Sequence, residues 1–313
     1  MTTWSPTQYL KFASERNTPA QDLLTHIPIQ SPTRIVDLGC GPGNSTALLA
    51  ARYNTPSTTS ITGIDSSPDM INKANTTTTA DNISFAVGAV ESYTPDAPVD
   101  LYFSNAVLQW LPKGERLQVI KKLVKGQKAG GVFAFQMPDT LGEPSHVIMR
   151  EVAERGPWAE KLRGVGREEV ESLEEIYDVL VDGTDGVEVD VKVWRTVYYH
   201  ALDGHGEIVE WVRGTGLRPY LERLGEEEQR GFLEVYEGEL RERGVERSGC
   251  WDWIVYVKLG LWSMRVESSY SEKNMVMNIL QGCRDAGMQN SGSSEISKYR
   301  DISPSSLGLF THQ

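Results

Sequence analysis

The chain has 313 residues, 39% hydrophobic and 24% charged, with a formal net charge of -12 at pH 7. This balance suits a globular protein of one or two domains with a full core. The acidity argues against a broad nucleic-acid or anionic-membrane surface, though not against a small basic pocket.

Cys40, Cys250 and Cys283 have no framework or metal spacing, which points to a reducing compartment. The opening residues, MTTWSPTQYLKF, carry no secretory or Arg-rich transit pattern, and no apolar run is long enough to cross a bilayer. A cytoplasmic, monomeric enzyme with a small-molecule substrate is the expectation, with no nucleic-acid or membrane partner.

In chain order, residues 18–26 read as a helix capped by Thr18, with Pro19 in the first turn. Arg34 to Leu38 reads as a buried strand and Asn44 to Tyr53 as a helix led by a capping Asn44. Ser60 to Ile64 is a second strand and Pro68 to Asn75 a helix, with Thr76 to Thr79 read as loop. Ile83 to Val87 and Asp100 to Ser104 are further strands. A helix follows from about Gly114 to Val124, then a fifth strand from Gly131 to Met137. Such alternation predicts an α/β fold, a doubly wound, mostly parallel sheet with helices on both faces.

The pattern then changes. Residues 142–180 and 205–243 look helical, and Val187 to Tyr199 alternates as a long strand. Cys250 to Trp262 is apolar enough for another strand. Beyond Glu267 the Ser- and Asn-rich composition predicts poor folding.

The chemistry concentrates in Asp37-Leu38-Gly39-Cys40-Gly41-Pro42-Gly43-Asn44 and in Asp65. Gly39, Gly41 and Gly43 permit positive φ and present no Cβ to a close ligand. The helix beginning at Asn44 favours a carboxylate or phosphate, and Asp65 at a strand end can accept two ribose hydroxyls. The glycines run G-x-G-x-G rather than the dinucleotide G-x-G-x-x-G. Asp37 would repel a pyrophosphate but suits the ammonium of an amino-acid cofactor. The loop at Asn105 and Trp110 falls at the same sheet edge. The five histidines have no metal-ligand spacing, so no metal is expected.

The D-x-G-x-G-x-G pattern resembles the first motif of class I S-adenosylmethionine-dependent methyltransferases. Further segments narrow the match. They are Trp4, Pro6, Tyr9, Phe12, Arg16 and Pro19 at the start, then Thr62-Gly63-Ile64-Asp65-Ser66-Ser67-Pro68-x-Met70 and Leu108-Gln109-Trp110-Leu111-Pro112. Gln136-Met137-Pro138-Asp139, His146-x-x-Met149-Arg150-Glu151, Trp194-Arg195-Thr196-x-Tyr198-Tyr199-His200 and Trp211-Val212-x-x-Thr215-Gly216-Leu217-Arg218-Pro219 follow. Together these resemble the trans-aconitate methyltransferase family over residues 4–243.

The resemblance implies a Rossmann-like, seven-stranded sheet with a helical substrate cap. It divides the chain into an N-terminal lid (1–30), a cofactor core (31–140), cap helices plus a completing strand (141–245) and an atypical tail (246–313). The family's final strand is not reproduced; Cys250 to Trp262 can substitute, or the sheet edge is left unpaired. The activity implied is methyl transfer from S-adenosylmethionine to a carboxylate of trans-aconitate or a related small polycarboxylate. A different acidic acceptor, or cofactor binding without catalysis, are the alternatives.

Cofactor contacts are expected from Asp37, Gly39, Gly41, Gly43, Asp65, Ser66 and Asn105, and from the position of Ala89. Methyltransferases usually place there an Asp that binds the adenine amino group. Its replacement by Ala removes a hydrogen bond and about 1 kcal/mol or more of affinity. Arg16 is expected at the cofactor carboxylate. Substrate contacts are expected from Trp110, His146, Arg150, Arg195, Tyr199 and Arg218, because a polyacid calls for guanidinium groups. A carboxylate is ionised at neutral pH and needs no general base, so no catalytic triad is expected.

Overall fold

The computed structural model describes residues 6–53, 58–78, 80–127, 129–182, 189–245, 252–259 and 263–266. Two helices open it, α1 (Pro6–Leu10) and α2 (Ala13–Thr25). The alternating region follows as β1 (Arg34–Leu38), α3 (Asn44–Arg52), β2 (Ser60–Asp65), α4 (Pro68–Thr77), β3 (Ile83–Val87) and β4 (Leu101–Asn105). A 3-10 turn at Leu108–Trp110, α5 (Glu115–Lys125) and β5 (Val132–Asp139) complete it. Then come α6 (Pro144–Glu154), α7 (Leu173–Asp182), β6 (Val189–Lys192), β7 (Arg195–Leu202), α8 (His205–Arg213), α9 (Arg218–Leu221), α10 (Glu226–Glu242), β8 (Asp252–Leu259) and β9 (Ser263–Val266).

The sheet runs β3-β2-β1-β4-β5-β8-β7, with β9 pairing both β5 and β6. Strands β1 to β5 are mutually parallel, as the alternation of strand and helix predicted. Asp37 lies beside Gly63 and Phe103, and Asn105 beside Gln136. The carboxyl ends of the strands therefore share one edge, where ligands bind open α/β sheets. The direction reverses at β8 and β9, which run antiparallel to β5.

The alternation of side chains along the strands divides the core. Ile35, Ile61, Leu101 and Phe103 pack on one face against Leu23 and Leu24 of α2 and Leu49 of α3. Val36, Leu38, Tyr102, Phe133 and Phe135 pack on the other against Ile120 and Leu123 of α5 and Ile176 and Leu180 of α7. A separate helical core joins Ile148, Met149, Trp158, Trp211, Tyr220, Phe232 and Tyr236.

Several boundaries differ from the sequence reading. α2 starts before Thr18, whose hydroxyl donates back to the Ser14 carbonyl at 3.2 Å instead of capping. Pro19 is thus inside the helix, where its missing N–H removes one ladder bond. Asn44 is the first helical residue and Gly43, at φ 95°, is the cap. Thr76 and Thr77 extend α4 by one half-turn, their hydroxyls donating to Lys73. Residues 155–172 carry no regular helix. The long strand expected over 187–199 is two strands, interrupted at 193–194. β8 covers the apolar run and pairs with the whole of β7, Tyr198 opposite Tyr256. The far ends of that run, and residues 267–313, lie outside the described residues.

Candidate active site

At the end of β1 the chain turns sharply. Gly39 has φ 72°, and a Cβ there would sit 2.3 Å from Cγ2 of Val107. The Gly39 and Cys40 amides both donate to the Ile64 carbonyl, at 2.8 and 2.9 Å, which pins the loop to β2. Asp65 holds the loop from the other side. Its oxygens accept from the Gly41 amide at 3.0 Å and the Ser67 amide at 2.8 Å. Burial raises the Asp65 pKa, and these two amide bonds oppose that shift. Each oxygen keeps lone-pair capacity for a ligand hydroxyl.

Asp37 lies beneath the loop. It is fully buried and accepts the Ser45 and Thr46 hydroxyls of α3, at 2.7 and 2.6 Å. Burial pushes its pKa up to about 6. The carboxylate thus ties β1 to the first turn of α3.

At the end of β4 the backbone is strained. Ala106 has φ 57°, the one non-glycine with positive φ among the described residues. Hydrogen bonds hold it there. Its amide donates to the Gln136 carbonyl at 3.1 Å, and its carbonyl accepts from the Gln109 side chain at 2.6 Å. The Gln136 side-chain amide donates to Asn105 Oδ1 at 2.6 Å.

Beyond it the Leu108–Trp110 turn is fastened by Arg116, which is fully buried. Arg116 donates through Nε to the Leu108 carbonyl and through Nη2 to the Leu111 carbonyl, both at 2.8 Å. Its Nη1 pairs with buried Glu171. One cation therefore links the Trp110 turn to the 168–171 segment.

Two adjoining cavities open at this edge. The first, about 1030 Å³, is lined by Gly39, Gly41, Asp65, Ser66, Glu91 and Arg218, among others. A Cβ on Gly41 would meet nothing within 4 Å, so the loop leaves open space there. The second, about 770 Å³, is lined by Arg16, Gln109, Gln136, Thr140, His146 and Arg167, among others. Asn105, Ala106 and Trp110 line both, so the cavities meet at the strained turn.

The structure thus gathers Gly39, Gly41, Asp65, Ser66 and Asn105 at the first cavity. Asp37, Gly43 and Ala89 do not line it. Asp37 Oδ2 accepts both α3 hydroxyls while its buried Oδ1 has no hydrogen-bond partner, Gly43 caps that helix, and beyond Ala89 it is Val90 and Glu91 that face the cavity. Arg16 lines the second cavity instead, donating to the Trp211 carbonyl at 2.9 Å with its guanidinium 4.9 Å from that ring. Arg218 lines the first cavity, with its guanidinium 5.6 Å from the Trp110 ring. Arg150 lines a third, smaller cavity that shares Trp110 and His146 with the second. Arg195 lines none of the three; it is exposed and pairs with Asp139. The Tyr199 side chain lies outside the described residues.

The sequence reading missed Arg167, Gln109, Gln136 and Glu91. Arg167 follows Gly164-Val165-Gly166 in an acidic stretch taken for helix, and nothing in its spacing marked it.

His146 bonds Thr140 through Nε2 and Ser145 through Nδ1, both at 3.2 Å. Removal from water, then the charges of Arg167 and Arg150, push its pKa down to about 3. The unfolded chain would hold this proton from about pH 6.5 downward. Stability from neutral His146 is therefore full above that pH and is lost as pH falls toward 3. Asp37, with its raised pKa, acts in the opposite sense between its unfolded value of 3.8 and about 6. The variant His146→Asn should therefore gain thermal stability relative to wild type as pH falls from 7 to 4. Melting temperatures of the two proteins across that range check this; parallel curves would contradict it.

Among the described residues no group of three or more His, Cys, Asp and Glu side chains converges to hold a metal, and no helix is long and apolar enough to cross a membrane.

Comparison with known proteins agrees with this geometry. Residues 35–131 match the family described as a methyltransferase domain. Among solved structures, loganic acid methyltransferase with SAH superposes with TM-score 0.58 at 12% identity, covering 85% of this chain and 95% of that one. A putative methyltransferase from Bacillus halodurans gives TM-score 0.53 at 10% identity, covering 80% and 100%. These two show the shared fold. The family match, together with the parallel sheet and its glycine loop, places the chain among methyltransferases whose methyl donor is S-adenosylmethionine.

Curated relatives narrow the class. A trans-aconitate 2-methyltransferase of Methylobacterium nodulans is 48% identical over 244 residues, 77% of this chain and 90% of that relative. The trans-aconitate 2-methyltransferase of an Escherichia coli strain is 43% identical over 243 residues, 78% and 90%. The chain belongs to the trans-aconitate 2-methyltransferase family.

Proposed function

We propose that this protein methylates a carboxylate of trans-aconitate, or of a closely related small polycarboxylate, to give a methyl ester. One observation carries the reading. The second cavity adjoins the donor cavity and is lined by two guanidiniums, Arg16 and Arg167, and by no carboxylate among the described residues. In a chain of net charge -12, that local excess of positive charge suits a polyanion.

The donor cavity fits S-adenosylmethionine. Asp65 offers lone pairs for ribose hydroxyls, Gly39 and Gly41 allow close approach, and Ser66 and Asn105 add polar contacts. When bound, the donor supplies a sulfonium methyl, which passes to the acceptor carboxylate and leaves S-adenosylhomocysteine. The protein orients the acceptor and excludes water. Asn105, Ala106 and Trp110, shared by both cavities, mark where the attacking oxygen would lie. No proton need be moved, because the nucleophile is already ionised.

In this reading residues 1–30 form a lid and 141–245 a cap over the acceptor, on a core of 31–140. Arg16 of the lid segment serves the acceptor side, where it lies. The protein works as a monomer in the cytoplasm. The test is S-adenosylhomocysteine release over an acceptor panel. Turnover is expected with trans-aconitate and weaker or absent with monocarboxylates; turnover on neutral alcohols or amines but not on polyacids would contradict it.

A further inference from the structure

Arg150 and Arg167 meet in the third, small cavity with Trp110, His146 and Tyr220. Arg167 and His146 also line the acceptor cavity, so the small one opens from it. Arg167 donates to two neutral acceptors, the Pro138 carbonyl at 3.0 Å and the Thr140 hydroxyl at 2.9 Å. Among the described residues it forms no ion pair with a carboxylate. Arg150 Nη1 is buried and has no hydrogen-bond partner. Among the described residues no Asp or Glu lines this cavity. A buried cationic donor without an acceptor is costly, so an anion or a polar ligand that reaches it is stabilised there.

The rest of the lining suits one flat anionic group. Leu141, Met149 and Pro219 supply apolar walls. A Cβ on Gly216 would sit 2.9 Å from His146 Nε2 and 3.2 Å from Met149 Cε, so glycine keeps the passage open. Of the three junction residues the cavity shares Trp110, as one wall, but neither Asn105 nor Ala106, which stand at the end of β4. That separation matters chemically. A guanidinium on the attacking oxygen would lower its nucleophilicity, whereas one on a remote carboxylate only anchors it.

We propose that this third cavity anchors an acceptor carboxylate remote from the one methylated, with Arg167 and Arg150 as its cationic walls. The compartment restricts the enzyme to acceptors with at least two carboxylates held apart. The proposal rests on the polycarboxylate reading above and adds to it the residues that select the acceptor.

The experiment compares wild type, Arg167→Ala, Arg167→Lys and Arg150→Ala on trans-aconitate and on dicarboxylate analogues that each lack one of its carboxylates. For Arg167→Ala the KM for trans-aconitate should rise about 100-fold, and for Arg150→Ala about 10-fold, with kcat little changed. Arg167→Lys, which keeps charge but loses the fork, should fall between wild type and Arg167→Ala. Binding of S-adenosylhomocysteine by calorimetry should be unaltered. The analogue lacking the anchored carboxylate should bind wild type weakly and lose nothing further in Arg167→Ala. A merely structural arginine would weaken all analogues alike, which would overturn the proposal, as would unchanged KM for trans-aconitate. Should Arg167→Ala fail to bind S-adenosylhomocysteine, Arg167→Lys and Arg150→Ala decide by the same criterion. Wild type inactive on every polycarboxylate would instead overturn the acceptor reading itself.

Discussion

Glu171→Ala should destabilise the protein by about 3–5 kcal/mol in urea unfolding, among the largest single-residue effects in the chain. Glu171 is 2% exposed and its partner Arg116 fully buried. Removing the acid leaves a guanidinium enclosed with only neutral carbonyls, those of Leu108, Gln109, Leu111 and Glu169. The penalty is that of an uncompensated buried charge, larger than the net value of the pair. A second effect should accompany it. Arg116 joins the Trp110 turn to the segment bearing Arg167, so loosening it should raise the KM for the acceptor more than it weakens donor binding. A loss under about 1 kcal/mol would show that water reaches Arg116 and compensates it.

Gly39→Ala should reduce affinity for S-adenosylhomocysteine by about 100-fold or more, measured by calorimetry. Two independent obstacles meet at that position. Its φ of 72° is unfavourable for a side chain, costing roughly 1–2 kcal/mol. The new methyl would also lie 2.3, 2.5 and 2.9 Å from Cγ2, Cγ1 and Cβ of Val107. Either Gly39 or Val107 must then move, and both line the first cavity. Adding Val107→Ala removes the two closest atoms and should restore part of the affinity. A Gly39→Ala protein that binds like wild type would contradict the tight packing of this loop.

The glycine loop and Asp65 at the first cavity were legible because their signals are local. Apolar Ile35 and Val36 announce a central strand, and the glycines after Leu38 announce a turn that only they can make. Asp65 could be placed because a strand end locates it. Asp37 shows the limit of that reasoning. Its position in the motif was evident, but the Ser45 and Thr46 hydroxyls that claim it belong to the next helix.

The second cavity depends on contacts between distant segments. Arg116 and Glu171 meet across 55 residues, and Arg167 reaches the cavity from a stretch without periodic pattern. Arg195 sat in a matching segment with suitable chemistry, yet pairs with Asp139 at the surface. Helix ends were misjudged where a neighbour could serve as cap: Gly43 displaced Asn44, and α2 began early enough to enclose Pro19. The strand at Asp252–Leu259 could be read from its alternation; its partner β7 supplies the pairing that sequence alone leaves open.

Carboxylate methylation of a polyacid at the junction of the two cavities makes an ester. Its most direct test is mass spectrometry of the product formed from trans-aconitate and S-adenosylmethionine carrying a deuterated methyl group. One labelled methyl per acceptor is expected, released by mild base as an ester should be, together with equimolar S-adenosylhomocysteine. A base-stable label on carbon or nitrogen, or donor turnover that never labels the acid, would contradict it.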